Sequence, residues 1–166
     1  MNKKFLKVSE KFGNIEILES SCNISTVQDG RGGIFTWMLD EKIVEINLIY
    51  YNANKVRGNH FHPEFNEYWM LVEGAGIKVT KDPKSNKTLI RHIAEGTLIR
   101  VPKNTTHAFH AIRPAKAMSF LTKHWESCKD PIIHESIVEM DDEYKKYAKD
   151  KGFKHSIEEI LKKKKK

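Results

Sequence analysis

Arg57-Gly58-Asn59-His60-Phe61-His62-Pro63-Glu64-Phe65-Asn66-Glu67 is the stretch on which the reading of this chain turns. In a strand, two residues at i and i+2 project from the same face, so His60 and His62 form the start of a chelate. Glu67 opens the next strand-like run five residues later, where it lies opposite them. A third imidazole, His107, opens another run just past the turn Pro102-Lys103-Asn104. Three neutral nitrogens and one carboxylate, each at about 2.0–2.2 Å, make a shell for one divalent transition metal (zinc, iron, nickel or manganese), with positions left open for water or substrate.

Outward from this stretch the chain is a series of short β-rich runs, at 33–39, 43–51, 56–62, 68–72, 75–80, 87–93, 98–101, 107–112 and 117–122. Turn chemistry separates them: Asp82-Pro83-Lys84-Ser85-Asn86, Glu95-Gly96, Pro102-Lys103-Asn104 and Arg113-Pro114. Closely spaced strands over this length predict an all-β protein built on a single compact barrel at 26–125. Residues 1–25 form an N-terminal extension, whose run Asn14-Ile15-Glu16-Ile17-Leu18 suits the covering of a sheet edge. Residues 126–166 change texture. The acid-first, base-last order of 141–149 ahead of Gly152 predicts a helix, and Ser156 with Glu159 has capping-box spacing for a second, over 157–161.

The chain has 166 residues, 39% of them hydrophobic, and no apolar run near the ~20 that a membrane span needs. Its net charge of +7 suggests an anionic partner until the lysines are located. Lys162 to Lys166 supply five of them, and without those the count is 24 bases against 22 acids. The tail reads as solvated chain, so neither nucleic acid nor a membrane is an expected partner. Lys3, Lys4 and Lys7 are followed by no apolar stretch, so a cytoplasmic location is expected. Cys22 and Cys128 lack metal-ribbon spacing and read as small buried thiols.

The histidine stretch and its continuation resemble the cupin superfamily. The first motif of that family is met by His60, His62, Glu67 and Gly74, and the second by Gly96, Pro102 and His107. Asn54 and Asn104 stand where the motifs carry glycine, and Ala111 where the second ends in asparagine. Asparagine tolerates the left-handed turn conformation better than most residues. The resemblance implies a cupin jelly-roll barrel with short C-terminal helices, the four metal ligands named above, and a homodimer.

Strand parity places Val56 and Gly58 on the face of His60 and His62 and sends Arg57, Asn59 and Phe61 the other way, unless a bulge intervenes. By the same parity Glu67, Trp69 and Leu71 line the cavity, as do His107, Phe109 and Ala111, while His110 falls on the opposite side. Tyr50 and Tyr51 point to opposite faces, and one of them approaches the cavity.

A narrower resemblance rests on Asp29-Gly30-Arg31-Gly32-Gly33-Ile34-Phe35, which looks like the opening segment of the cupins of deoxysugar nucleotide metabolism. Arg57 to Glu67 is similar to the metal-binding cupin domain of capsular-polysaccharide sugar epimerases and to sugar-nucleotide 3,4-ketoisomerases. The likeness implies an isomerase or epimerase of a nucleotide-linked 4-keto-6-deoxy sugar, a small-molecule substrate on which a proton moves beside the carbonyl. Tyr50, Arg57 and His110 are then the candidate catalytic groups, and Arg31, Trp69 and Phe109 the candidate substrate contacts, with Arg31 or Arg57 suited to a diphosphate. The same shell also serves an iron-dependent dioxygenase, a lyase on a small metabolite, or a non-catalytic binding protein, because one barrel hosts all of these.

Overall fold

In the computed structural model, residues 6–20 and 27–138 are described. Thirteen strands run in the order β1 (Val8–Phe12), β2 (Ile15–Leu18), β3 (Val27–Asp29), β4 (Gly32–Ile34), β5 (Glu45–Tyr51), β6 (Lys55–Phe61), β7 (Glu67–Glu73), β8 (Ala75–Lys81), β9 (Thr88–Ala94), β10 (Leu98–Val101), β11 (His107–Ala111), β12 (Ala115–Leu121) and β13 (Ile133–His134). Among the described residues a single 3-10 turn, Trp125–Ser127, precedes the last of them. Two antiparallel sheets, β1-β2-β10-β7-β12-β5 and β13-β6-β11-β8-β9, form the jelly roll, and β3-β4 is a separate hairpin. Among the described residues no helix is long and apolar enough to cross a membrane. The helices expected at 141–149 and 157–161 lie outside the described residues.

Alternation decides which side chains fill the barrel. On β7, β10 and β12 the inward set is Trp69, Leu71, Ile99, Val101 and Ala117, joined from the facing sheet by Phe109, Ala111 and Ile93. Ile15 of β2 is fully buried in the same cluster, because β2 pairs with β10 and continues the sheet. Across β2, β10 and β7, the outer face is covered by Trp37, Leu39 and Ile43 packed on Leu18, Tyr68 and Leu98. Glu41 pins that loop: it accepts hydrogen bonds from Tyr68 Oη at 2.7 Å and Arg100 Nε at 2.8 Å.

The strand expected over 33–39 stops at Ile34. Beyond it Trp37 turns its indole N–H to the Leu18 carbonyl instead of continuing a ladder. Both asparagines that replace motif glycines take the left-handed conformation, Asn54 at φ 59° and Asn104 at φ 58°. The chain after β12 runs back as a strap. β13 pairs with β6 at His60 and Phe61. Asn59 then fixes the strap, accepting the N–H groups of Ile137 and Val138 and donating to the Val138 carbonyl.

Candidate metal centre

Strands from both sheets bring four side chains together at one end of the barrel. His107 on β11 lies opposite His60 on β6, His62 follows directly after β6, and Glu67 begins β7 across the cavity. The candidate ligand nitrogens of His60, His62 and His107 all lie within 4.8 Å of one another. Glu67 Oε2 is 3.4 Å from His107 Nε2 and 3.8 Å from His62 Nε2.

The outer nitrogens of two rings are already engaged. His107 Nδ1 meets the Thr105 carbonyl at 2.9 Å and His62 Nδ1 the Pro131 carbonyl at 3.0 Å. A carbonyl only accepts, so each Nδ1 carries the proton and each Nε2 lone pair points at the centre. Glu67 is oriented in the same way, since its Oε1 accepts from Ser119 Oγ at 2.5 Å. What remains are two buried atoms with no hydrogen-bond partner, His62 Nε2 and Glu67 Oε2. Orphaned buried acceptors that converge on one point fit a bound cation.

The electrostatics are of the same kind. Burial, followed by the neighbouring His107 and His62, holds His60 down to about 2. Burial and then the Lys78 ammonium lower His107. Burial pushes the Glu67 carboxyl up, but His107 and His62 beside it outweigh that and hold it well below the usual range. Neutral His60 and His107 and an ionised Glu67 are in the protonation states that a metal requires.

A β-bulge sets this geometry. The register of β6 on β11 slips between His107 and Ala108, where Gly58 has φ 102° and Asn59 φ 56°. The extra residue reverses strand parity, so Arg57 lies opposite Phe109 and shares the inner face that simple alternation denies it. Arg57 is exposed there, beside half-buried His60. Trp69 and Phe109 are fully buried and packed on each other beneath the cluster, with ring centres 4.9 Å apart. They form its floor.

Two of the expected catalytic groups are not brought to the cavity. Tyr51 takes the inward position, its hydroxyl accepting from Trp69 Nε1 at 3.1 Å, which turns Tyr50 outward on the same strand. His110 pairs with Val56 and Ile77 on the outer side of its sheet. Arg31 stands on the β3-β4 turn, ion-paired with Asp29 at 2.6 Å and with 88% of its side chain exposed.

A family model described as cupin matches residues 39–127, more than half of the chain. The chain belongs to the cupin family. No curated protein sequence matches it, but many solved structures share its fold. The dTDP-4-dehydrorhamnose 3,5-epimerase of Bacillus anthracis, solved with TDP and pyrophosphate, is 19% identical at a TM-score of 0.63, over 78% of this chain and 83% of that one. A 3,4-ketoisomerase from Helicobacter canadensis is 18% identical at 0.60, over 75% and 92%. The capsular polysaccharide assembling protein CapF of Staphylococcus aureus is 14% identical at 0.52, over 66% of this chain and 31% of that one. At these identities the likeness is one of fold.

The cupin also holds groups that spacing does not single out. Ser119 orients Glu67, and Thr80, opposite His107 on β8, donates to the Thr106 carbonyl. Lys78, on the inner face of β8 opposite Phe109, is 2% exposed. Glu135 of the strap accepts from Thr106 and Lys81, tying the strap beside His107.

Proposed function

We propose that this cupin is an isomerase or epimerase that moves a proton beside the carbonyl of a nucleotide-linked 4-keto-6-deoxy sugar, assisted by one divalent transition metal. The observation that carries the reading is the pair of orphaned acceptors, His62 Nε2 and Glu67 Oε2, converging with His60 and His107 inside the barrel. Sugar-nucleotide enzymes among the proteins of similar fold support the substrate class. Bound at His60, His62, Glu67 and His107, the metal would act as a Lewis acid on the ketone oxygen.

The chain's own side chains have distinct parts in this reading. His62 and His107 are held in one tautomer by backbone carbonyls, and Ser119 holds Glu67, so the site needs no reorganisation to bind. Trp69 and Phe109 lay an aromatic floor beneath the cluster. Arg57, exposed and opposite Phe109, takes the diphosphate. Ile46, Leu48 and Val72, apolar and exposed on the outer face of the six-stranded sheet, support a homodimer through that face. The expected location is the cytoplasm.

Two measurements test the reading. Metal analysis of protein never exposed to chelator is expected to give about one equivalent of transition metal per chain, lost in the His60→Ala/His62→Ala variant. In deuterated water, proton NMR of dTDP-4-keto-6-deoxyglucose is expected to lose the signal beside the ketone. Absence of exchange across a panel of such sugars overturns the substrate class, and absence of metal overturns the ligand set.

A further inference from the structure

Lys78 carries a buried positive charge that the fold leaves without an oxygen partner. Thr80, two residues on along β8, faces His107, so Lys78 sits about 7 Å below the ligand layer on the same inner face. Its Nζ lies 4.6 Å from the centre of the Trp69 ring, and Trp69 is the inward residue next below Glu67 on β7. Among the described residues the ring face and the Coulombic pull of Glu67 are what it meets, with no acceptor in hydrogen-bond contact. An ammonium has three donors, and the described residues give this one no oxygen to hold.

Charge balance points the same way. A divalent ion held by neutral imidazoles and Glu67 would, together with Lys78, leave two positive charges inside the barrel. Glu45, on β5 and level with Glu67 across the intervening β12, is turned to the Trp125 backbone N–H and the Asn47 amide instead. Arg57, exposed opposite Phe109, adds to the excess. The missing negative charge belongs to something that enters the cavity.

We propose that Lys78 is a ligand-binding residue, whose ammonium takes a negatively charged oxygen of a small oxyanion, an enolate or a carboxylate, seated in the cavity beside the His60–His62–Glu67–His107 cluster. The inference rests on reading that cluster as a metal centre. It deepens the proposed reaction, because proton removal beside a ketone creates an enolate oxygen and Lys78 supplies a fixed donor for it. Burial pulls Lys78 down to about 8 while Glu67 opposes the shift, so the cation persists at neutral pH.

Malonate, with malonamide as its uncharged counterpart, serves as the probe on metal-loaded protein by titration calorimetry. Malonate is expected to bind and malonamide not, and Lys78→Met to lose about tenfold or more of the malonate affinity while its metal content stays at the wild-type level. Failure of the wild type to bind malonate, or equal affinity in Lys78→Met, overturns the assignment. A second measurement needs no variant: reductive methylation of the wild-type holoprotein, read at the Lys78 peptide by mass spectrometry, is expected to be suppressed by saturating malonate. Equal labelling with and without malonate, none included, also overturns it. Lys78-dependent malonate binding without deuterium exchange in any sugar nucleotide would sink the sugar reading alone; exchange with malonate binding independent of Lys78 would sink this inference alone.

Discussion

Replacing Gly58 by alanine tests whether the bulge on β6 holds the ligands in register. Gly58 has φ 102°, a region closed to residues with a side chain, and an added Cβ would lie 2.7 Å from the His107 carbonyl oxygen and 2.8 Å from Ala108 Cα. Both neighbours are backbone and cannot rotate away. The dihedral strain costs about 1–3 kcal/mol, and the overpacking about another 1–3 kcal/mol. Gly58→Ala should therefore lose about 2–6 kcal/mol, a large share of the roughly 5–15 kcal/mol that holds a typical domain together. In thermal unfolding that corresponds to a drop on the order of 10 °C. Gly96→Ala is the control, since Gly96 has φ 80° with nothing within 4 Å of the added carbon. It carries the dihedral strain alone and should keep its metal, whereas Gly58→Ala moves His107 relative to His60 and should lose it. A Gly58→Ala protein that melts within about 2 °C of wild type with its metal in place would refute the reasoning.

Ser119→Ala removes the donor that orients Glu67 and is expected to weaken metal binding by about 10–100-fold in a competitive chelator titration; unchanged affinity would show that Ser119 does not position Glu67. Asn59→Ala deletes three hydrogen bonds that hold the strap at Ile137 and Val138, and limited trypsinolysis at Lys129 should accelerate; an unchanged cleavage rate would mean that β13 is held by other contacts. Burial pushes the Glu41 carboxyl up, but Arg100, Tyr68 and Asn66 outweigh that and hold it below its ordinary 4.5. A carboxyl lowered by folding stabilises above its unfolded value and loses that contribution as pH falls through the folded one. Glu41→Gln should be less stable than wild type at pH 7, with the difference shrinking below about pH 4; a difference that stays constant with pH would rule the ion pair out as its source.

The four clustered side chains were legible because metal chemistry leaves a spacing that survives in one dimension. His60 and His62 share a face by parity, and the turn before His107 and the start of the strand at Glu67 mark where those residues enter the barrel. Arg57 was misplaced because the pattern counts residues, whereas the sheet counts pairings, and the bulge spends one residue of β6 on none of them. Gly58-Asn59 was the signal available, a glycine and an asparagine side by side within a strand. Tyr50 and Tyr51 are chemically equivalent neighbours, and only the Trp69 indole on another strand decides which turns inward.

Lys78 was hidden for a different reason. On β8 it lies between Ile77 and Val79, and alternation reads such a lysine as the solvent face of an amphipathic strand. The barrel breaks that expectation near its ligands: Lys78, Thr80, Ser119 and Glu67 are polar, inward and buried, set among Val101, Trp69 and Phe109. Deeper, the inward residues are Leu71, Ala111, Ala115 and Ala117. The fold thus divides one interior into an apolar floor that supplies hydrophobic burial and a polar end whose unmet groups raise the cost of folding. Two orphaned acceptors, and a buried lysine one layer below them, are stabilised when a cation and an anion are bound there together. Their retention inside a sheet that offers room for aliphatic side chains is therefore an argument for a ligand, and for one that carries negative charge.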